Sequence, residues 1–169
     1  MNRTSLDTPC LIVDLDVLDR NIATLAAYFR ERNVAWRPHA KSYKCGRLAR
    51  RVVDGGACGV TCAKLGEAEV MATAGIRDLL ITGPVVGLSK VARLAALRQI
   101  ADPIAVGDHA DHVRQLSAAA TQAQVTLRVL IEVDLGMKRC GVAPGEAVVE
   151  LGRMIAASPG LTLAGIMGW

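Results

Sequence analysis

Residues 126–134 read TLRVLIEVD and form the longest strand that the sequence predicts. The apolar and β-branched residues of this run are typical of a strand buried in a parallel sheet. Shorter strands of the same kind are predicted around it, at 34–41, 58–61, 78–82, 103–106 and 161–167. Segments of helical period separate these strands. A strand–helix unit therefore recurs about every 24 residues, which indicates a parallel sheet with crossover helices.

Two α/β architectures share this pattern, the doubly wound sheet and the (β/α)8 barrel. A dinucleotide-binding doubly wound sheet carries a GxGxxG turn after its first strand, and the sequence has none. A closed barrel needs eight strands, and six are predicted, the last of them next to Trp169. We therefore expect an incomplete (β/α)8 TIM-type barrel of about six of the eight strands, with a second β-domain absent.

Composition excludes several classes of protein. The chain has 169 residues, of which 51% are apolar, 21% charged and 3% aromatic, with a net charge of +4. Its basic residues are scattered and are not interleaved with aromatic residues, so no nucleic-acid partner is expected. No apolar run approaches the length of a membrane span, and no apolar segment follows Met1 as in a signal peptide. The five cysteines form no CxxC pair, which favours reduced thiols in a cytoplasmic protein.

Charged residues alternate along two of the predicted strands. Arg37, His39 and Lys41 share one face of 34–41. Arg128, Glu132 and Asp134 share one face of 126–134. Helices cover the outside of a barrel, so these faces are expected to point inward. Lys41 and Asp134 end their strands, where barrel active sites lie. A structural ion-pair network and an edge strand facing water are the alternatives. A neutral lysine amine at such a strand end can form a Schiff base, and pyridoxal phosphate (PLP) is the commonest cofactor that uses one.

Four motifs in a fixed order identify a family resemblance over nearly the whole chain. They are Asp7–Leu11 (DTPCL), Arg37–Lys41 (RPHAK), Cys62–Glu69 (CAKLGEAE) and Glu132–Gly141 (EVDLGMKRCG). This order resembles the N-terminal part of the D-threonine aldolase and D-serine dehydratase family, PLP enzymes with an alanine-racemase-like barrel. The final GIMGW, residues 165–169, resembles the start of the family's next motif.

The resemblance implies roles for individual residues. Lys41 is the expected Schiff-base lysine, and His39 is expected to line the site beside it. Arg139 is expected to approach the phenolic oxygen of the cofactor, and Glu132 to orient Arg139 by a charge-assisted hydrogen bond. Tyr43 stands where the family usually has a histidine. It could hydrogen-bond a phosphate or a substrate hydroxyl, or it could simply be an aromatic residue at the start of a helix.

Metal ligands are not predicted within the chain. The segment 107–112 (GDHADH) is interpreted as a helix start capped by Asp108. The divalent metal that the resemblance implies uses His and Cys residues beyond Trp169. Three cysteines are expected to be small core residues, and Lys64 is expected to contact Glu67 on one helix; the cysteines are Cys58, Cys62 and Cys140.

The resemblance implies a PLP-dependent lyase acting on a small β-hydroxy D-amino acid, by aldol cleavage or by dehydration. An amino-acid racemase and a non-catalytic PLP-binding protein are the alternatives. Residues 1–13 are expected to contain an N-terminal strand that pairs with a missing C-terminal domain, and 14–169 to form the truncated alanine-racemase-like barrel. A homodimer is expected at full length. The 169-residue chain alone is expected to bind PLP weakly and to lack lyase activity.

Overall fold

The computed structural model describes residues 2–169, which form six α-helices, one short 3-10 helix (Arg3–Ser5) and five strands in this part of the chain. The helices are α1 (Leu15–Glu31), α2 (Gly46–Asp54), α3 (Leu65–Thr73), α4 (Leu88–Leu97), α5 (Ala110–Gln122) and α6 (Glu146–Ala157). The strands are β1 (Val60–Cys62), β2 (Asp78–Ile81), β3 (Asp102–Gly107), β4 (Leu127–Val133) and β5 (Leu161–Gly168). The six α-helices and the five strands lie close to where the sequence predicts them, whereas two predicted strands, one within residues 1–13 and one at 34–41, are not formed as regular strands.

The five strands form one parallel sheet in the order β1-β2-β3-β4-β5. Consecutive strands pair, and a helix follows each of the first four strands before the next begins. Crossover helices of this kind are the standard way to connect parallel neighbours. The predicted partial α/β barrel is therefore confirmed.

The prediction of a regular strand at 34–41 is wrong. This segment makes a single parallel bridge, from His39 to Thr61, with hydrogen bonds on either side of it (Thr61 N–H to Pro38 O and Ala40 N–H to Thr61 O, both 2.8 Å). Cys58 N–H also donates to Trp36 O. A continuous parallel ladder would next need a hydrogen bond donated to β1 by the backbone nitrogen of Pro38, which carries no hydrogen. The ladder is broken there, and the segment runs beside β1 as an irregular edge.

An aliphatic core lies between the sheet and the helices. Its fully buried side chains come from strands and helices alike, including Val60, Leu79, Leu94, Leu116 and Ile155. A smaller cluster of Ile22, Val52 and Ala57 lies where α1 covers α2. Small aliphatic side chains let helices pack closely on a sheet, which explains how a chain so poor in aromatic residues buries a core.

The segment before α1 forms no strand within the described residues, although a strand is predicted there. Leu11 and Ile12 are exposed. Asp14 is the N-cap of α1, because its carboxylate accepts a hydrogen bond from Val17 N–H at 3.1 Å. Aspartate is one of the residues that N-cap positions favour, because its carboxylate can accept from an unpaired N–H of the first turn.

A chain of alternating charges lies at the N-terminal ends of the strands. Arg37 contacts Asp78 at 2.5 Å, Arg128 contacts Asp78 at 3.2 Å and Asp102 at 2.8 Å, and Arg98 also pairs with Asp102. A Cβ on the glycine at position 59 would lie 2.5 Å from the Arg37 guanidinium and 2.3 Å from the carbonyl of Asp78, so only glycine leaves room for this pairing. For Arg37 and Arg128 the ion-pair interpretation is correct.

Within residues 2–169, none of the helices combines the length and the apolar character needed to cross a membrane.

Candidate functional site at the mouth of the partial barrel

One cavity of about 300 Å³ opens inside the curve of the sheet. Four of the five predicted site residues line it, and so do Arg37, Thr61, Thr82 and the end of β5; the four are His39, Lys41, Glu132 and Arg139. Lys41 follows the bridge at His39, Glu132 is the penultimate residue of β4, and Arg139 lies in the loop after β4. The cavity therefore sits at the C-terminal ends of the strands, where α/β barrels place their sites.

Lys41 lies in the turn that precedes α2 and is exposed to the cavity and to solvent. The expected burial of this lysine is wrong, because little in the described part of the chain covers that side of the open barrel. Lys41 forms no ion pair within residues 2–169, so its amine is not bound to a carboxylate of this part of the chain. The imidazole Nδ1 of His39 accepts a hydrogen bond from the Lys41 backbone N–H at 3.2 Å. This contact fixes the turn that carries the lysine.

His39 loses its ring proton more readily than an ordinary histidine. Burial and the positive charge of Lys41 hold the pKa of His39 below its usual value, against smaller opposing effects of Glu67 and of a backbone hydrogen bond with Thr61. A neutral ring keeps a lone pair on Nδ1, which is what the hydrogen bond from Lys41 requires.

Glu132 is the most buried charged group at the mouth, with 5% of its surface exposed. Its Oε2 has no hydrogen-bond partner among the described residues. Burial and the nearby Asp108 raise the pKa of Glu132, and the attraction of Arg139 opposes this only partly. The expected hydrogen bond between Glu132 and Arg139 is not formed in this part of the chain, although both side chains line the same cavity.

Tyr43 does not line that cavity. Its ring packs against the main hydrophobic core, and its hydroxyl is buried without a hydrogen-bond partner in the described residues. Burial, together with Cys62 and Cys45, raises its pKa. The structure therefore places Tyr43 beneath the turn that carries Lys41, just before α2.

A tight loop positions the residues that follow β4. Asp134 accepts hydrogen bonds from Gly136 N–H at 2.9 Å and from Lys138 N–H at 3.0 Å, and these bonds lower its pKa. Gly141 has a φ of 101°, and a Cβ there would lie 2.6 Å from the Asp134 nitrogen. Asp134 thus shapes the loop, and it does not face the opposite charges of 34–41 as expected.

Asp108 lies beside Glu132 at the site, although the sequence predicts it to be the cap of a helix. It is not the cap of α5, since the N-cap is His109, whose Nδ1 accepts from Asp111 N–H. Asp108 instead accepts a hydrogen bond from Gly141 N–H at 3.1 Å. One carboxylate oxygen of Asp108, one of Glu132 and the sulfur of Cys140 all lie within 4.8 Å of one another. Its position directly after β3 is the signal that could have found it.

Two further expectations about side chains fail. Of the three cysteines expected in the core, Cys62 is buried, but Cys58 is exposed and Cys140 is half-buried. Glu67 does not pair with Lys64; it accepts a hydrogen bond from Ala63 N–H at 2.8 Å and lies 3.5 Å from Lys44. A buried carboxylate at the start of α3 is stabilised by such backbone donors.

A parallel sheet with crossover helices, and a lysine, an arginine and a buried carboxylate around one cavity at its C-terminal edge, defines a partial α/β-barrel domain with a candidate site at its mouth. The chain belongs to the family described as alanine racemase, N-terminal domain, whose profile matches residues 13–169. The resemblance that the four motifs indicate is thereby confirmed.

Individual relatives share this fold. The chain is 39% identical over 171 residues to 3-hydroxy-D-aspartate aldolase from Paracoccus denitrificans, covering 100% of this chain and 44% of that protein. It is 28% identical over 165 residues to D-threo-3-hydroxyaspartate dehydratase from Delftia sp., covering 96% and 43%. The solved D-threonine aldolase from Filomicrobium marinum superposes with a TM-score of 0.92 at 46% identity, covering 95% of this chain and 43% of that one. The chain spans less than half the length of the curated relatives it matches.

Proposed function

We propose that this chain is the N-terminal barrel segment of a PLP-dependent lyase that acts on small β-hydroxy D-amino acids. The observation that carries the proposal is the convergence of Lys41, His39, Glu132 and Arg139 on one cavity. Similarity to an aldolase and a dehydratase supports this reaction class. The higher identity to the aldolase favours aldol cleavage over dehydration.

The residues present fit the cofactor. The cavity is about 300 Å³, within the range of small-molecule sites, and the Lys41 amine has no ion-pair partner in residues 2–169. Lys41 would hold the cofactor covalently, and Arg139 would hold it through its phenolic oxygen. Bound PLP supplies an electron sink for breaking a bond at the α-carbon of an amino acid.

The surrounding residues prepare the lysine and the arginine for this role. His39 holds the Lys41 backbone through Nδ1 and thus limits where the amine can reach. The carboxyl groups of Glu132 and Asp108 would attract the Arg139 guanidinium toward the cavity, since Arg139 acts on Glu132 through its charge. Tyr43 supports the turn that carries Lys41, and we propose that it reaches a phosphate or a substrate hydroxyl only through a rearrangement of that turn.

Residues 1–13 are proposed to pair with a C-terminal domain, and 14–169 to be the truncated barrel of a protein that is a homodimer at full length. The five cysteines are free in the described part of the chain, which supports a cytoplasmic location. A divalent metal is part of the proposal for the longer protein, since one solved structure of a D-threo-3-hydroxyaspartate dehydratase variant is described as the metal-free form.

The test of the cofactor assignment is a covalent-labelling experiment. The purified 169-residue chain is mixed with PLP, the absorbance is recorded, and the adduct is reduced with borohydride and located by peptide mapping. We expect weak binding and a label on Lys41, which is lost in Lys41→Ala. The control is Lys90→Ala, because Lys90 is an exposed lysine on α4 and its removal should leave the label unchanged.

Two results would count against the assignment. If no adduct forms in the parent chain, the claim that this segment binds PLP is wrong. If a reducible adduct forms but persists in Lys41→Ala, the segment binds PLP through another lysine. In a longer protein carrying this segment, release of glycine and an aldehyde from D-threonine indicates aldol cleavage, whereas release of a keto acid and ammonia indicates dehydration.

A further inference from the structure

Three potential metal ligands converge at the mouth of the barrel from three separate parts of the chain. Asp108 follows β3, Glu132 lies near the end of β4, and Cys140 lies in the loop after β4. One ligand atom from each lies within 4.8 Å of the other two. Parallel strands bring these residues together because their C-terminal ends meet at one edge of the sheet.

Glu132 supplies a second, independent observation. Its side chain is 95% buried, and its Oε2 finds no hydrogen-bond donor among the described residues. An unpaired buried carboxylate oxygen is costly unless something compensates it. The charge of Arg139 acts on Glu132, but Arg139 forms no ion pair or hydrogen bond with any of the three ligands in residues 2–169.

Asp108 is already oriented by the loop after β4, because Gly141 N–H donates to its Oδ2 at 3.1 Å. Its Oδ1 lies 3.8 Å from Nδ1 of the buried His112, and that nitrogen makes no hydrogen bond in residues 2–169. Nε2 of His112 carries the ring hydrogen, since it lies 3.0 Å from the carbonyl oxygen of Val85. A hydrogen bond that orients a ligand is typical of metal sites.

We propose that Asp108, Glu132 and Cys140 bind one divalent transition-metal cation of the zinc and cobalt class. One sulfur and two carboxylate oxygens are a donor set that suits these metals, whereas Mg²⁺ and Ca²⁺ prefer oxygen ligands alone. The thiolate is the form of Cys140 that binds, so binding releases the thiol proton to solvent. Bond lengths of about 2.0–2.3 Å place tetrahedral ligands roughly 3.5 Å apart, so ligand atoms within 4.8 Å of one another need to approach by little more than about 1 Å to bind one ion.

This site uses residues other than the His and Cys ligands that the family resemblance places beyond Trp169. It also does not depend on the proposed reaction, because PLP takes no part in it. The proposed metal site lies on the cavity wall that Glu132 and Arg139 share. A bound cation would neutralise the carboxylates there and leave the Arg139 guanidinium free for an anionic ligand.

The test is a titration of the 169-residue chain with Co²⁺ in the absence of PLP, followed by absorbance. Thiolate coordination gives a sulfur-to-cobalt charge-transfer band in the near ultraviolet. We expect this band to saturate at one equivalent, to be lost in Cys140→Ser and to be retained in Cys58→Ser, since Cys58 is exposed and far in sequence from the site. Glu132→Gln should weaken binding roughly tenfold or more, because even outer-layer partners of a metal are worth about 10–100-fold.

A measurement on the unmodified chain covers the case in which a variant fails to fold. Zn²⁺ should protect Cys140 from alkylation by iodoacetamide, as read by peptide mapping, while Cys58 in the same sample stays reactive. The proposal is overturned if Co²⁺ gives no thiolate band, if the band survives in Cys140→Ser, or if Zn²⁺ leaves the alkylation of Cys140 unchanged. Circular dichroism of each variant establishes that its fold is retained.

Discussion

Replacing Asp78 with asparagine removes one negative charge from the alternating charges inside the partial barrel while keeping the volume of the side chain. Asp78 contacts Arg37 at 2.5 Å and Arg128 at 3.2 Å. Arg128 keeps a second carboxylate, because Asp102 lies 2.8 Å from it. The uncompensated charge therefore falls mainly on Arg37, and we expect the free energy of unfolding to decrease.

The degree of burial sets the size of this decrease. The side chains of Arg37, Asp78 and Arg128 are 19%, 33% and 30% exposed. Breaking a fully buried charge pair costs about 3–5 kcal/mol, and exposed pairs contribute about 0.2–1 kcal/mol. A network exposed by a fifth to a third lies between these limits, so we expect Asp78→Asn to cost about 2 kcal/mol.

Urea unfolding followed by far-ultraviolet circular dichroism measures this cost. With a slope of about 2 kcal/mol per molar urea, the midpoint should fall by about 1 M. The matched control is Glu146→Gln, because Glu146 and Arg153 form an ion pair at 3.4 Å with side chains 70% and 74% exposed. The control should change stability by less than about 0.5 kcal/mol. The reasoning is refuted if Asp78→Asn unfolds at the midpoint of the parent chain or if both variants lose the same stability.

Two further predictions concern buried titratable groups. Burial, the largest influence, holds the pKa of His112 below its usual value of 6.5 despite opposing hydrogen bonds, so the unfolded chain binds more protons and stability should fall as pH drops below about 6.5. Urea unfolding at pH 7.5 and 5.5 should show a smaller fall in His112→Asn, and an equal fall contradicts the prediction. Burial, with Glu67, raises the pKa of the Cys62 thiol to about 12. Alkylation at pH 8 should therefore modify Cys58 and spare Cys62 until urea unfolds the chain, and labelling of both at one rate in the native chain would contradict this.

The order of helices and strands could be predicted from sequence because each depends on local pattern. The run at 126–134 alternates and is rich in branched residues, and it forms β4 within a residue at either end. Asp14 lies directly before an amphipathic segment, and it caps α1. The strand at 34–41 was predicted by the same reasoning and is not regular, because Pro38 removes a donor that a continuous ladder to β1 needs.

The candidate site was predicted in part. Lys41, His39, Glu132 and Arg139 were identified from the motifs, and all four line one cavity. Tyr43 was identified in the same way, but its ring packs into the core. The direction of a side chain in a turn depends on backbone angles that the motif does not specify, which is why the lysine and the tyrosine two residues later go to different places.

The amino-acid sequence by itself determined the α/β class, the parallel sheet and the family, because these follow from periodicity and from motifs in a fixed order. The tertiary structure alone decided which charges meet. Asp78 pairs with arginines 41 residues before it and 50 residues after it, and Asp108 joins Glu132 and Cys140. Such contacts depend on sheet register and on loop paths, since electrostatic attraction falls with distance in space and takes no account of separation along the chain.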